Sequence, residues 1–137
     1  QLELNELLKQ YLQDYEEVYD YRNIEVTIDE QDIFNVTMNE SLAVALLTNL
    51  LKNAFVHNID GGHIRITVTK NSITFRNSGV ENPLDKEHIF ERFYQGTKKE
   101  GSTGLGLAIA DSICRLQHLS IRYYFEQKEH CFEISRQ

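Results

Sequence analysis

No apolar stretch in this chain approaches the roughly 20 residues that a membrane-spanning helix needs. Nothing at its start has the order of a signal peptide, a basic patch followed by an apolar run and a small-residue cleavage site. Positive charge is scarce. Lys and Arg number 14 against 21 Asp and Glu, and the formal net charge of −7 withholds the basic face that a general nucleic-acid binder presents to phosphates. Only two cysteines occur, Cys114 and Cys131, which gives neither a disulfide framework nor a metal-ligand spacing. Cys114 falls inside an apolar helical pattern and reads as a small buried hydrophobe, with reduced thiols as the default. There is no internal repeat, no low-complexity tract, and a single proline, Pro83. The first residue is Gln1 rather than Met, so an excised fragment is expected, whose parent is free to be membrane-bound.

What is present suits one domain of 137 residues, with 41% apolar and 26% charged residues. Leu4, Leu7, Leu8, Tyr11, Leu12 and Tyr15 recur at helical spacing and predict an amphipathic helix over 2–19. Alternation predicts a strand over 24–28 and a shorter one over 34–38. A long helix follows to Val56, capped by Asn39 or Ser41. Asp60-Gly61-Gly62 marks a turn, and 63–69 and 72–76 form a hairpin around Lys70-Asn71. A short helical piece is expected over 86–94 and an apolar helix over 105–116, then strands over 120–126 and 130–135. Strands and helices that do not strictly alternate point to an α+β, two-layer sandwich.

Two features carry chemistry. Ser102-Thr103-Gly104-Leu105-Gly106-Leu107 is glycine-rich and opens directly into a helix, whose free N–H groups and positive dipole end suit a phosphate. On its own it reads equally well as a loop leading to a core helix. It is neither a dinucleotide fingerprint nor a Walker loop, lacking the preceding strand of the one and the Gly-Lys-Ser/Thr ending of the other. Asn49 and Asn53 stand four apart on one face of the long apolar helix. Asparagine is costly to bury without partners, and a hard cation such as Mg2+ accepts its amide oxygen. A solvated polar stripe explains the pair as readily.

In combination these motifs resemble the histidine-kinase branch of the GHKL ATPases, the superfamily of gyrase, Hsp90, histidine kinases and MutL. Leu47-Thr48-Asn49-Leu50-Leu51-Lys52-Asn53-Ala54 is similar to the family's N box, and Asn77-Ser78-Gly79 stands at its G1 box. Ile89-Phe90-Glu91-Arg92-Phe93-Tyr94 resembles the F box, and Thr103-Gly104-Leu105-Gly106-Leu107-Ala108-Ile109 the G2 box. The F box separates this branch from the serine kinases of the anti-sigma type. The resemblance implies a Bergerat-type fold, a mixed sheet with helices packed on one face, and ATP with Mg2+ as ligands. It implies Asn53 as the metal ligand, Asn49 supporting the phosphates, and backbone at Thr103, Gly104, Leu105, Gly106 and Leu107 cradling them. Residues 80–103 would form a lid anchored by Phe90 and Phe93, with Arg92, Lys98 and Lys99 as candidate cations; a solvated loop explains the lysines as well.

The chain departs from the pattern at three places. Asn77 replaces the acid that accepts from the adenine amino group, leaving one uncharged acceptor. Glu81 replaces the second glycine of the G1 box, and Val56 stands where a basic residue is usual, with His57 next to it as a partial substitute. Glu40 and Glu91 are acidic candidates for activating the reaction, although Glu40 stands nine residues from Asn49 and Glu91 reads equally as a surface or capping residue. None of the five histidines, His57, His63, His88, His118 and His130, has the acid and proline that surround a phosphoacceptor. The expectation is therefore a catalytic domain, 1–137, that phosphorylates a histidine on a separate helical dimerisation domain, works as a homodimer upstream of a response regulator, and lies on the cytoplasmic side of a parent anchored in the inner membrane. The alternative is a degenerate nucleotide-binding or docking module.

Overall fold

In the computed structural model, residues 1–91 and 105–137 are described. Two residues, Leu2–Glu3 (β1), precede the first helix, Leu4–Val18 (α1). The helix is shorter at its start than its pattern predicts, because Leu2 and Glu3 pair with Asn35–Val36 (β3) and the Leu4 N–H bonds the Phe34 carbonyl at 3.0 Å. Between them lies Glu25–Glu30 (β2). The long helix is Glu40–Val56 (α2), and Asn39 caps it: its Oδ1 accepts from the Ser41 N–H at 2.8 Å and the Leu42 N–H at 3.3 Å. His63–Val68 (β4) and Ser72–Asn77 (β5) form the expected hairpin. Gly106–Leu116 (α3), Leu119–Glu126 (β6) and Glu129–Arg136 (β7) complete the chain.

The main sheet runs β2-β4-β5-β7-β6. Only β2–β4 is parallel, with α2 in the connection between them, so the sheet is mixed. Side chains alternate across it. Ile64, Ile66, Val68, Ile73, Phe75, Phe132 and Ile134 are buried on the helix-covered face, against Leu46, Leu47, Leu50, Leu51 and Phe55 of α2 and Ala110, Ile113 and Cys114 of α3. Burying each such leucine or isoleucine contributes roughly 1.5–3 kcal/mol. The layers follow from this division: α+β, a two-layer sandwich with the helices on one face.

The opposite face is polar. Arg65 grips the buried Glu129 through Nη2–Oε1 at 2.6 Å and Nε–Oε2 at 3.2 Å, and His63 Nε2 meets Oε2 at 2.7 Å. Burial alone would raise the Glu129 pKa; hydrogen bonds from Arg65 and His63 outweigh it and hold the carboxyl below its ordinary range. Arg122 Nε reaches Glu133 at 2.6 Å. Cys131 lies on this face and Cys114 under α3; burial pushes their thiols up to about 11 and about 12.

Over 86–91 the segment expected to be helical is a series of turns. Asp85 accepts from the Glu87 N–H at 3.0 Å and holds His88 Nδ1 at 2.6 Å, a local network that closes one turn rather than a ladder. Ile89 is buried behind it, and Phe90 packs edge-on against Phe132 with centroids 6.2 Å apart.

Candidate nucleotide site

Helices α2 and α3 meet where the two glycine-and-asparagine motifs lie. Asn49 is half-buried and donates from Nδ2 to the Ala45 carbonyl at 2.7 Å. That bond turns its Oδ1 toward α3, where a Cβ added at Gly106 would lie 3.0 Å from it. A side chain at 106 would therefore push against Asn49, and glycine lets the helix start close to α2. The two helix starts differ. Asn39 satisfies the first N–H groups of α2, whereas α3 has no side-chain cap bond among the described residues and no acid in its first turn. Leu105 is its N-cap residue and accepts from the Ile109 N–H at 2.9 Å. Leu107 is half-buried and packs against the core. One turn beyond Asn49, half-buried Asn53 makes no side-chain hydrogen bond among the described residues.

At the end of β5, Asn77 is 2% exposed. Its Nδ2 donates to the Ser78 carbonyl at 2.7 Å, which fixes which end of the amide is which, since the reverse would set two oxygens face to face. Oδ1 is then a buried acceptor with no partner among the described residues. Such a group costs about 1–3 kcal/mol, and natural structures leave few of them. Beside it the chain turns at Gly79, squeezed between two groups. A Cβ there would sit 2.9 Å from the carbonyl of His57, the C-cap residue of α2, and 3.1 Å from the His130 ring. Half-buried His57 thus contributes backbone to the wall of the site.

The junction under this turn rests on residues that sequence patterns did not single out. Asn58 is fully buried and completely paired: Nδ2 donates to the Ala54 and His63 carbonyls at 3.1 and 3.0 Å, while Oδ1 accepts from the Ile59 N–H at 2.8 Å and the Ser78 hydroxyl at 2.6 Å. A Cβ at Gly62 would fall 2.2 Å from that Oδ1. Arg22 gathers the carbonyls at the end of α2, Phe55 at 2.6 Å and Asn58 at 2.8 Å, and pairs with Asp60 at 2.8 Å. A cation at the carbonyl end of a helix satisfies acceptors the helix leaves open. A polar residue just past a helix end is too common a pattern to have marked Asn58.

Four expected site residues, Arg92, Phe93, Thr103 and Gly104, lie outside the described residues, as do Lys98 and Lys99. Glu40, Glu81 and Glu91 are exposed. Asp85, Glu87 and His88 place potential ligand atoms within 4.8 Å of one another, yet all three are exposed and the Asp85–His88 pair accounts for the grouping.

Comparison with known proteins gives the family and the fold. Residues 38–135 match the family described as histidine kinase-, DNA gyrase B-, and HSP90-like ATPase. The heme sensor protein HssS of Staphylococcus aureus is 33% identical over 127 residues, covering 89% of this chain but 28% of that protein. The chain thus spans under a third of the length of the curated relatives it matches. Among solved structures, the nucleotide-free catalytic domain of the histidine kinase ThkA superposes with a TM-score of 0.84 at 26% identity, covering 97% of this chain and 91% of that one. ThkA in complex with the response regulator protein TrrA matches with a TM-score of 0.79 at 25% identity, covering 97% of this chain and 40% of that one. The mycobacterial sensor histidine kinase MprB shares the fold, with a TM-score of 0.83 at 19% identity and coverage of 98% and 96%. No described helix is long and apolar enough to cross a membrane.

Proposed function

The chain belongs to the family of histidine kinase-, DNA gyrase B- and HSP90-like ATPases, and from that premise we propose that it binds ATP with Mg2+ and is the catalytic domain of a sensor histidine kinase. The observation that carries the reading is Asn77. A buried, oriented and unpartnered carbonyl oxygen beside a glycine turn matches the exocyclic amino group of adenine, a donor that would satisfy it. The bond lacks the charge an aspartate would bring, so its contribution is that of a neutral hydrogen bond.

The other residues fit the rest of the nucleotide. Asn53 offers an unengaged amide oxygen of the kind Mg2+ takes alongside phosphates and water. Asn49, held by Ala45, supports the start of α3, and the backbone from Leu105 to Leu107 together with Thr103 and Gly104 would face the phosphates. Mg2+ would neutralise charge on the transferring phosphoryl group; the protein contributes position and dipole. His57 and Gly79 border the base; a lid spanning 80–103 would be anchored by Phe90 and Phe93, with Arg92 as a candidate cation. The acceptor histidine belongs to a helical dimerisation domain elsewhere in a homodimeric parent, anchored in the inner membrane with this domain on its cytoplasmic side. A response regulator follows downstream.

Calorimetric titration of Mg2+-ADP and Mg2+-ATP tests this. Binding should require Mg2+ and fall about tenfold or more in Asn53→Ala, the loss of one metal ligand. No binding at millimolar nucleotide by a folded chain would overturn the kinase reading in favour of a docking module.

A further inference from the structure

One buried polar arrangement is explained neither by the fold nor by any motif. His130, on β7, is 4% exposed, and its strand register places it directly across from Asn77. Its Nε2 lies 2.6 Å from the Val80 carbonyl and its Nδ1 2.7 Å from the Tyr123 hydroxyl, which also takes the Leu84 N–H at 2.9 Å. For a neutral ring one assignment fits these three bonds. A carbonyl only accepts, so Nε2 carries the proton toward Val80; Nδ1 of a neutral ring then accepts from Tyr123, and Leu84 donates into the phenol oxygen. Burial lowers the His130 pKa, which favours that neutral ring.

The relay grips backbone at both ends of 80–84. Among the described residues no backbone–backbone hydrogen bond holds 79–84, and Pro83 has no N–H to offer. Val80, Glu81, Asn82 and Pro83 are exposed, so the grip anchors no core side chain. It does fix the turn that begins at Asn77. The His130 ring and the His57 carbonyl both crowd the place a Cβ of Gly79 would take, and Tyr123 and Phe125 pack on that ring at centroid distances of 5.9 and 4.8 Å.

We propose that Tyr123 and His130 are positioning residues of the nucleotide site: together they set the path of residues 79–84, and through it the placement of the Asn77 acceptor and the root of the lid. The proposal rests on the nucleotide-binding reading above. It predicts that the two residues act as one unit on affinity, with little effect on the fold.

The test measures Mg2+-ADP affinity by calorimetry, and nucleotide-free thermal stability, for the full chain and for Tyr123→Phe, His130→Phe and their double variant. Tyr123→Phe keeps the ring that packs on Phe132 and deletes only the hydroxyl. Each single variant should bind about tenfold more weakly, the worth of one well-placed hydrogen bond. The double variant should lose little more than either, because the sites share one network. His130→Gln, which keeps a donor and an acceptor, should recover part of the loss, and the Leu84 amide should exchange faster in Tyr123→Phe. If His130→Phe does not fold, Tyr123→Phe with its Leu84 exchange decides. Wild-type affinity in a folded Tyr123→Phe would overturn the relay's role while leaving the nucleotide reading intact. A wild-type chain that binds no nucleotide would overturn that reading itself, and the proposal with it.

Discussion

Asn58 and Asn77 are both buried asparagines at the same end of the sheet, yet they differ in one respect. Asn58 uses every donor and acceptor it has, joining the end of α2 to the start of β4 and to Ser78. Asn77 uses one side of its amide and leaves the other open. A third buried asparagine, Asn5, behaves like Asn58: its Nδ2 donates to Glu30 and the Asp32 carbonyl, both at 3.0 Å, and its Oδ1 accepts from the Phe34 N–H at 2.9 Å. Burial of an amide therefore does not mark a site in this molecule. Incomplete pairing is what the proposed site rests on, because the desolvation cost of an open acceptor would be recovered when a ligand donates to it.

That contrast can be broken by substitution. The largest effect is expected at Asn58→Ala, which strands the Ile59 N–H, removes the amide donor from the Ala54 carbonyl and loosens the Ser78–His63 bonds that share the junction. Stability to urea should fall by about 3 kcal/mol, and a loss under about 1 kcal/mol would mean that the network is not structural. Asn77→Ala should do the reverse. Unfolding free energy should stay within about 1 kcal/mol of wild type, since an unpaired acceptor is removed, while nucleotide affinity falls about tenfold or more. Equal affinity would remove Asn77 from the site. The smallest effect sharpens the comparison with a charged group that is fully engaged. Glu129, held below its ordinary pKa, contributes stability that is complete above its unfolded value near pH 4.3 and is lost as pH falls through the lower folded value. In thermal melts from pH 6 to pH 3, Glu129→Gln should lack that part of the decline, worth under about 1 kcal/mol because Arg65 and His63 are half-exposed.

Most of the fold was legible because hydrophobic spacing carries it. Leu4, Leu8 and Leu12 announce α1, and Ile64, Ile66 and Val68 announce β4. What periodicity cannot carry is partnership across the chain. Neither the parallel pairing of β2 with β4 nor the β1–β3 pair that shortens α1 has a local signal. The same division runs through the site. Asn49, Asn53, Asn77, Gly79 and Gly106 were found by motif, and the structure places Asn49 against Gly106 and Gly79 against His57. Tyr123 and His130 read as ordinary strand residues, since their link to Val80 and Leu84 joins positions 50 and 39 residues apart. Over 86–91 the side-chain bonds of Asp85 favour turns where a short helical piece over 86–94 was expected, and 92–94 lie outside the described residues.

The two thiols give the molecule a built-in clock. Only the thiolate attacks an alkylating reagent, and with pKa values pushed to about 12 and about 11, Cys114 and Cys131 present almost none at neutral pH while buried. Labelling must wait for the chain to open. Because one cysteine lies in the helix layer and the other on the uncovered side of the sheet, the rates at which they acquire a label time the opening of the two layers separately, with no probe added.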